Sequence, residues 1–489
     1  MTITSANSST DRFTTPSLTQ PQPWHRALSE PAKEFSATPL KVLSGKIPFN
    51  LQGTFYQNGT GRLQRGGQSV GHWFDGDGAI LRVGLGEGHA IGTYRYVQTQ
   101  GYQAEGKGNR FLYGNYGRRY PGPIWRHVKG LFTASSVKNA ANTAVLALPD
   151  KLLALWEAGN PHSLDLVTLE TKGIDTLGWL KTTQQFSAHP LQDPLSEEIY
   201  SIGVTPLCEL MIYRCDRACR LIKQRNISLK TVPIVHSFVI AGPYLVFLIS
   251  PVAVDMLSLL LNQQPFSEAA RWKGDRGTRI LVIDRETLET VSDSQADAWF
   301  QWHYGNGCIE SDGSLRLDFA KFDDFLAINA VLGEVPTGKI TTKAYGRLWQ
   351  LKLNPKTGKI LSNDCVLDQD CEFPQVPAAQ TGQPWQHTYV LMHRDGISTG
   401  EDWFGAIGRF DYDAGTLIKT DLGENCYGSE PIHAPGEDGS SWLLVVIYNA
   451  ADERSELWIL NAATLGEPVC RLALPQIIPL GFHGTWKPS

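Results

Sequence analysis

The segment RILVIDRETLETV at residues 279–291 places a short polar turn between two β-rich runs. Successive side chains of a strand point to opposite faces, so an alternating apolar run can bury one face, and an Asp turn joins two such runs into a hairpin. The pattern returns in RLWQLKLNPKTGKIL at 347–361, in AIGRFDYDAGTLIKT at 406–420, in ELWILNAATLGEPVCRLAL at 456–474 and, more weakly, in ELMIYRCDRACRLIKQ at 209–224.

Hairpins that recur at intervals of roughly 50–70 residues are typical of the blades of a β-propeller. A β-sandwich with similar hairpins is the alternative. The number and the spread of the copies favour the propeller, and the sparse helical signal agrees with it. The sequence therefore predicts an all-β chain built as a β-propeller.

The composition excludes several classes of protein. The 489 residues carry a net charge of −5 with scattered Lys and Arg, so no basic stripe indicates a nucleic-acid partner. The eight Cys are irregularly spaced, and Cys215 and Cys219 have no second pair with which to form a zinc site. Reduced thiols in a cytoplasmic protein are the expected state. Residues 1–30 are rich in Ser, Thr and Pro and lack the apolar core of a signal peptide, which predicts a disordered arm before a single domain at 31–489.

Two apolar segments suggest contact with a membrane surface. PYLVFLISPVAVDMLSLLL at 243–261 is long enough to span a bilayer, but Pro251 would break the helix and Asp255 would be costly in hydrocarbon. We expect a core strand followed by an apolar loop or short helix. In GPIWRHVKGLF at 122–132, Trp125 and the apolar residues after it could share a helix face opposite Arg126. Peripheral membrane association of a cytoplasmic protein is the resulting hypothesis.

The chemistry of the chain rests on its histidines. None of the twelve belongs to an HExxH or HxH pair, and a single His is more often a structural residue than a metal ligand, so spacing alone leaves the function open. Four of them occupy distinctive contexts. These are His189 in FSAHP, His236 in PIVHSFVI, His303 in FQWHYGNG and His483 in LGFHGTW.

These four contexts resemble those of the carotenoid cleavage oxygenases. Seven further segments resemble this family in the family's order, from about residue 30 to the end of the chain. They are NLQGTFYQNG from Asn50, WFDGDG from Trp73, ANT from Ala141, LLALWEAG from Leu152, CEFP from Cys371, SEPIH from Ser429 and RSELWIL from Arg454. Each segment is weak evidence alone, and the set is specific.

The resemblance implies a seven-bladed propeller with a helical and loop cap over a metal-bearing face. It further implies one Fe(2+) per chain, held by the four histidines, since imidazole suits this ion. Metal-bound His normally donates its other ring N–H to a carboxylate or carbonyl, and the resemblance supplies Glu157, Glu372 and Glu430 as acceptors. Thr143 is expected near an open coordination position. Phe74, Trp156 and Trp302 are the residues we expect in a substrate tunnel, and core packing is the alternative role of each.

The reaction implied by the resemblance is oxidative cleavage of a conjugated C=C bond by O2. The substrate would be an apocarotenoid or carotenoid, and the products would be aldehydes of the retinal type. A dioxygenase that cleaves stilbene-type alkenes and a catalytically silent carotenoid-binding propeller are the alternatives. Two features depart from the family pattern. Ser237 follows the second histidine where many members carry Asp, and the region from Phe319 to Ile340, expected in the tunnel or its lid, has no recognisable signature.

Overall fold

The strands of the chain form a ring of seven antiparallel sheets, as a β-propeller requires. The structure, a computed structural model, describes residues 20–133 and 137–489, and the side chains of 131–133 lie outside the description. The predicted all-β, seven-bladed propeller is confirmed.

Each blade is a sheet of four to six strands, named blades 1 to 7 in chain order, with its innermost strand facing the ring axis. Blade 1 consists, from the inside, of Gly481–Pro488, Gly53–Arg62, Asp77–Gly86, His89–Tyr96 and Phe35–Pro39. Blade 2 consists of Ala144–Ala147, Leu152–Leu155, His162–Leu164 and Thr171–Ile174. Blade 3 consists of Leu191–Gln192, Ile199–Thr205, Glu209–Cys215 and Leu221–Ser228. Blade 4 consists of Val239–Ala241, Tyr244–Ile249, Thr278–Asp284 and Thr290–Ala296.

The remaining blades follow the same plan. Blade 5 consists of Phe300–Ile309, Leu315–Phe322, Arg347–Leu353 and Ile360–Leu367. Blade 6 consists of Cys371–Gln375, His387–Met392, Ala406–Asp411 and Thr416–Asp421. Blade 7 consists of Cys426–Gly428 with Ile432–Pro435, then Ser441–Asn449, Arg454–Asn461, Leu465–Ala473 and Lys41–Gly45. Two short ribbons pair Gln64–Arg65 with Gln68–Ser69 and Val252–Val254 with Ala270–Trp272.

The five hairpins predicted from the repeated pattern are the outer hairpins of blades 3 to 7. The five turns are stabilised in the same way. In each, an Asp or Asn at the end of the third strand accepts hydrogen bonds from backbone N–H groups of the turn. Asp284 Oδ1 accepts from Glu286 N at 3.1 Å and from Thr287 N at 2.7 Å. Turns of the same kind are made by Asp216, Asn354, Asp411 and Asn461.

Both ends of the chain close the ring. The C-terminal strand Gly481–Pro488 pairs with Gly53–Arg62 as the innermost strand of blade 1, and Lys41–Gly45 pairs with the outer edge of blade 7. Gly59 allows the two strands of blade 1 to approach closely, since a Cβ on it would lie 2.7 Å from the Cα of Gly481. This closure carries His483 to the axis.

The described α-helices are short and lie in the connections between strands. They are α1 (Gln100–Gly108), α2 (Ile124–Thr133), α3 (Met256–Leu260), α4 (Phe266–Ala269) and α5 (Phe325–Glu334). Short 3-10 turns occupy Pro23–Ala27, Trp73–Asp75, Gly274–Arg276, Val335–Thr337 and Ala378–Gln380. Asp324 caps the N-terminus of helix α5, since its carboxylate accepts from Leu326 N and Ala327 N, and the helix is followed by the turn that contains Pro336.

The apolar segment at 243–261 folds as expected. It forms the core strand Tyr244–Ile249, the short strand Val252–Val254 and helix α3. The segment at 122–132 contributes to helix α2. Among the described residues, no helix has the length and apolar character that crossing a membrane requires. All eight cysteines are free thiols.

The expected N-terminal arm does not extend as far as residue 30. Residues 1–19 lie outside the described residues, but Pro23–Ala27 forms a packed turn. Trp24 is fully buried, with its ring centroid 5.2 Å from that of Trp403. The sequence prediction followed the Ser- and Pro-rich composition and missed this aromatic anchor.

Four buried ionic side chains form a cluster that includes Lys138, five residues before Thr143. Asp77 pairs with Arg65 at 2.5 Å and with Lys138, and Glu105 pairs with Lys138 at 2.7 Å and with Arg65 at 3.3 Å. All four side chains are at most 4% exposed. Each of these charges has lost its hydration by burial and is stabilised instead by its oppositely charged partners.

Replacing Asp77 by Ala is expected to lower the free energy of unfolding by about 3–5 kcal/mol, because it leaves two buried cations short of a counter-ion. Urea denaturation followed by circular dichroism measures the change. The exposed pair Arg26–Glu30 provides the control, since Glu30→Gln should cost less than about 1 kcal/mol. Equal, small losses in both variants would contradict this account of the ionic cluster.

Candidate metal centre

One residue from each of the seven blades meets at the propeller axis. Histidines come from blades 1, 3, 4 and 5, and glutamates come from blades 2, 6 and 7. Most of them sit on, or within a few residues of, the innermost strand of their blade, and Glu157 lies in the turn after the second strand of blade 2. The histidines are His483, His189, His236 and His303, and the glutamates are Glu157, Glu372 and Glu430.

The four histidines predicted as metal ligands form one cluster. Each presents a ring nitrogen, and these four atoms all lie within 4.8 Å of one another. The Nε2 atoms of His236 and His303 are 3.2 Å apart. The four imidazole nitrogens come from four separate blades. Their convergence therefore depends on closure of the propeller and not on local sequence.

Three of the histidines are oriented by the predicted glutamates. His236 Nδ1 lies 2.8 Å from Glu157 Oε2, His303 Nδ1 lies 2.6 Å from Glu372 Oε2, and His483 Nδ1 lies 2.9 Å from Glu430 Oε1. A carboxylate only accepts hydrogen bonds, so each Nδ1 carries the proton and donates it. Each Nε2 is then left with a lone pair on the other side of the ring, which faces the cluster.

His189 has no glutamate partner among the described residues. Its backbone N–H donates to Ser187 Oγ at 2.9 Å, and its ring packs 4.3 Å from that of His483. Its Nε2 is buried and makes no hydrogen bond with the described chain. A buried nitrogen without a partner, beside three inward-facing lone pairs, is the feature that a metal ion would satisfy.

Burial keeps the imidazoles of His189, His303 and His483 neutral. It holds the pKa of His189 and of His303 well below the ordinary value, and it lowers the pKa of His483 to about 4 against the opposing effect of Glu430. Neutral imidazole is the form that binds a metal, and four neutral nitrogen donors suit a borderline first-row divalent ion. The residues present thus fit the iron that the family resemblance implies.

A cavity with mainly aromatic and aliphatic walls begins at the histidine cluster. Thr143, Phe74, Trp156 and Trp302, each predicted near the metal or in a tunnel, all lie in its wall. Other apolar wall residues come from two innermost strands, from the second strand of blade 5, from helix α5 and the segment after it, and from connections between strands. They include Trp73, Phe322, Ile328, Val331, Leu332, Val335, Ile340, Phe373, Trp403, Phe404 and Phe482.

Two further cavities adjoin this one. The outer cavity shares Tyr116, Trp156 and Glu157 with the first and reaches helices α2 and α3 through His127 and Leu259. The axial cavity shares His303 and His483 with the first. It also includes Ser237, whose Oγ is 3.5 Å from the carbonyl of Phe238, at the limit of a hydrogen bond.

Several residues of the site belong to segments without a recognisable sequence motif. Helix α5 had no recognisable signature, although the segment around it was expected in the tunnel or lid, and its Ile328, Val331 and Leu332 line the cavity. Phe373 stacks on His303 with ring centroids 5.1 Å apart and has a φ of +54°, which is rare for a bulky residue. Such strain is a common feature of functional sites, but no residue type signals it in the sequence.

Comparison with known proteins agrees with this geometry. The family model described as RPE65, retinal pigment epithelial membrane protein, matches residues 28–488. The apocarotenoid-15,15'-oxygenase of Synechocystis sp. is 31% identical over 95% of this chain and 96% of its own length. Resveratrol cleavage oxygenase 1 of Aspergillus fumigatus is 24% identical over 90% of this chain and 91% of its own length. The crystal structure of cobalt-substituted Synechocystis ACO superposes with a TM-score of 0.86 at 28% identity, covering 96% of this chain and 99% of that one. The chain therefore belongs to the RPE65/carotenoid cleavage oxygenase family and is an oxygenase by that membership.

Proposed function

We propose that this protein is an Fe(II)-dependent dioxygenase that cleaves a conjugated C=C bond of an apocarotenoid or carotenoid, with O2 as the oxidant. The two alkene carbons each become a carbonyl carbon, which gives aldehydes of the retinal type. The observation that carries the proposal is the position of the four-histidine cluster, which opens directly into an apolar, aromatic-walled cavity.

The residues of the site have three roles: to hold the metal, to orient its ligands and to position the substrate. His189, His236, His303 and His483 would hold one iron, and Glu157, Glu372 and Glu430 would keep three of the rings in the required tautomer. Bound iron supplies O2 activation beside the alkene. The walls exclude water and align the alkene with the cluster, and Thr143 adds a small methyl-bearing wall close to it.

The cavity suits a polyene for a simple reason. A conjugated chain is long, rigid and apolar, so it gains most when flat aromatic surfaces replace the water around it. Phe74 provides such a surface, since its ring centroid lies 5.6 Å from that of Trp302 and 5.5 Å from that of Phe482. These rings stand beside the cluster, where the reacting bond would have to lie.

A second candidate is cleavage of a stilbene-type alkene. The observation in its favour is Tyr116, whose hydroxyl group is buried, has no hydrogen-bond partner in the described chain and lies in the wall shared by two cavities. A phenolic substrate would offer that hydroxyl a partner. The predominantly apolar walls favour the polyene.

Incubation of iron-loaded protein with a panel of apocarotenals, intact carotenoids and resveratrol separates the candidates. Product masses identify the bond that is cut. We expect aldehyde pairs from an apocarotenal and little or no product from resveratrol. Exclusive cleavage of resveratrol would replace the proposal by the second candidate, and iron-loaded protein that binds polyenes without cleaving any would indicate a silent carotenoid-binding propeller.

Peripheral membrane contact belongs to the same proposal, because a polyene resides in membranes. Helices α2 and α3 adjoin each other, with His127 Nε2 2.7 Å from the carbonyl oxygen of Leu259. Trp125 is 61% exposed on one helix and Leu257 is 64% exposed on the other. Arg126 lies over the Trp125 ring. Exposed apolar groups with a nearby cation, beside the outer cavity, are suited to the interface of a bilayer.

The double variant Leu257→Glu with Leu261→Glu is expected to lose at least about tenfold in the fraction bound to liposomes, since each leucine contributes about 1.5–3 kcal/mol when it leaves water. Co-sedimentation with vesicles measures the bound fraction. Leu207→Glu is the control, because Leu207 is 82% exposed but lies in a turn of blade 3. The same loss in the control, or no loss in either protein, would exclude contact through α3.

A further inference from the structure

Two stretches of the wall of the first cavity come from different blades. The first, residues 335–340, follows helix α5 in blade 5, and the second, residues 401–404, precedes the strand Ala406–Asp411 of blade 6. Both contribute side chains to the wall, among them Ile340 in the first and Trp403 in the second. The separation of the two stretches therefore affects the width of the cavity.

A third part of the chain, residues 20–28, bonds both stretches and is called here the N-terminal segment. The Nε2 of Gln22 donates to the carbonyl oxygen of Glu401 at 2.6 Å, and its Oε1 accepts from the backbone N–H of Ile340 at 3.2 Å. The backbone N–H of Gln22 also donates to the carbonyl oxygen of Gly338 at 2.8 Å. A single side chain thus links wall residues of blade 5 to wall residues of blade 6.

The contacts of Gln22 call for an amide at this position. Its Oε1 also accepts from Trp24 Nε1 at 3.1 Å, so two N–H donors point at the oxygen, while Nε2 faces a carbonyl oxygen. Gln22 is 5% exposed, so water does not replace a lost partner. An ionised glutamate would place an oxygen against the carbonyl oxygen of Glu401, and an apolar side chain would leave that oxygen and Ile340 N unpaired.

Trp24 supports the same wall from behind. Its side chain is fully buried outside the cavity, and its ring centroid lies 5.2 Å from that of the wall residue Trp403. The Trp403 ring in turn lies 5.0 Å from that of Trp73. The Trp73 ring lies 4.3 Å from that of Phe482, which directly precedes His483. A series of aromatic contacts therefore leads from the N-terminal segment to the metal centre.

The connections that carry the two stretches also contact each other without the N-terminal segment. The carboxylate of Asp370 accepts from Gly346 N at 3.1 Å and from Thr399 N at 2.8 Å. A Cβ on Gly400 would lie 3.0 Å from the carbonyl oxygen of Thr342. The chain should therefore stay folded when the contacts of Gln22 are lost, while the wall beside Gln22 becomes less rigid.

We propose that the N-terminal segment positions the cavity wall for the substrate, with Gln22 and Trp24 as positioning residues that lie behind the wall. The segment fixes the two stretches before binding, so that the substrate does not have to order them. The inference rests on the proposed function for the nature of the substrate. The effect on the wall itself can be measured without any substrate.

The first test is hydrogen–deuterium exchange of iron-loaded wild-type protein and Gln22→Met, in which the side chain keeps its length and loses the amide. We expect peptides that cover residues 335–340 and 401–404 to exchange about fivefold faster in the variant, the factor that one lost hydrogen bond gives. Tyr96→Phe is the matched control, because the Tyr96 hydroxyl group donates to the carbonyl oxygen of Gly61 at 2.7 Å, buried outside the cavity. Unchanged exchange in Gln22→Met, or an equal increase in Tyr96→Phe, would overturn the inference.

The second test is the binding of an apocarotenal to the same proteins without O2, followed by quenching of tryptophan fluorescence. We expect Gln22→Met to bind about three- to tenfold more weakly than the wild-type protein, and Tyr96→Phe to bind equally well. Trp24→Phe, which keeps an aromatic ring and loses the N–H, should show a smaller loss. Iron content per chain should not change in any variant.

A Gln22→Met protein that binds the apocarotenal as tightly as the wild-type protein, or that loses its iron, would overturn the inference. A role of Gln22 in stability alone would lower the free energy of unfolding without weakening binding. Wild-type protein that binds no polyene would count against the proposed function alone, because the exchange experiment uses no substrate.

Discussion

His303→Ala is expected to abolish iron binding and polyene cleavage while the propeller stays folded. His303 supplies one of four convergent nitrogens, and its Nε2 lies 3.2 Å from that of His236 at the centre of the cluster. Loss of a ligand should exceed the effect of losing a partner of a ligand, which is about 10–100-fold in affinity. The fold should survive, because its stability comes from the apolar faces of seven sheets and not from one side chain on the axis.

Iron content per chain, measured by mass spectrometry after gel filtration, and the circular dichroism spectrum give the two readouts. The control is His433→Ala, since His433 is a half-buried imidazole in blade 7 that bonds Ser441 outside the cluster. This control should keep its iron. Full iron occupancy in His303→Ala, or global unfolding of that variant, would contradict the assignment of His303 as a ligand on a metal-independent fold.

Glu372→Gln is expected to lower iron affinity by about 10–100-fold and to lower cleavage at limiting iron in proportion. Glu372 Oε2 accepts from His303 Nδ1 at 2.6 Å and from the backbone N–H of Phe373. Burial raises the pKa of Glu372 to about 8, so the carboxylate is costly in this place unless a positive charge lies nearby. A neutral amide of the same size keeps the packing but removes the negative charge that makes His303 a better donor to iron.

Glu456→Gln is the matched control for this variant. Glu456 is a fully buried carboxylate that pairs with Arg471 at 2.8 Å and bonds Trp458 in blade 7. Its replacement should reduce stability without changing iron affinity. Competition with a chelator of known strength measures the affinity. If Glu372→Gln binds iron as tightly as the wild-type protein, the hydrogen bond between Glu372 and His303 does not contribute to iron affinity.

Much of the fold could be predicted because its repeating unit is local. Each outer hairpin carries its own alternation and its own Asp or Asn turn, as residues 279–291 illustrate, so the outer hairpins of blades 3 to 7 were found from short segments. Ring closure could not be predicted in this way. The pairing of Gly481–Pro488 with Gly53–Arg62 joins opposite ends of the chain, and no local pattern encodes it.

The residues of the site could be predicted from short segments, but their pairing could not. The histidine contexts and the three glutamates were recognisable as short segments that resemble a family, and the structure brings all seven residues together. Which glutamate bonds which histidine depends on how the blades are arranged around the axis, since Glu157 in blade 2 bonds His236 in blade 4 and not a residue of blade 3.

Polyene cleavage by this protein is expected to require one iron held by the four histidines. The most direct measurement is the initial rate of apocarotenal cleavage as metal-free protein is titrated with Fe(II) under air, with product masses taken at each point. We expect aldehyde products whose rate of formation rises linearly with bound iron and stops rising at one iron per chain. Cleavage that is independent of iron, or no cleavage of any polyene at one iron per chain, would contradict it.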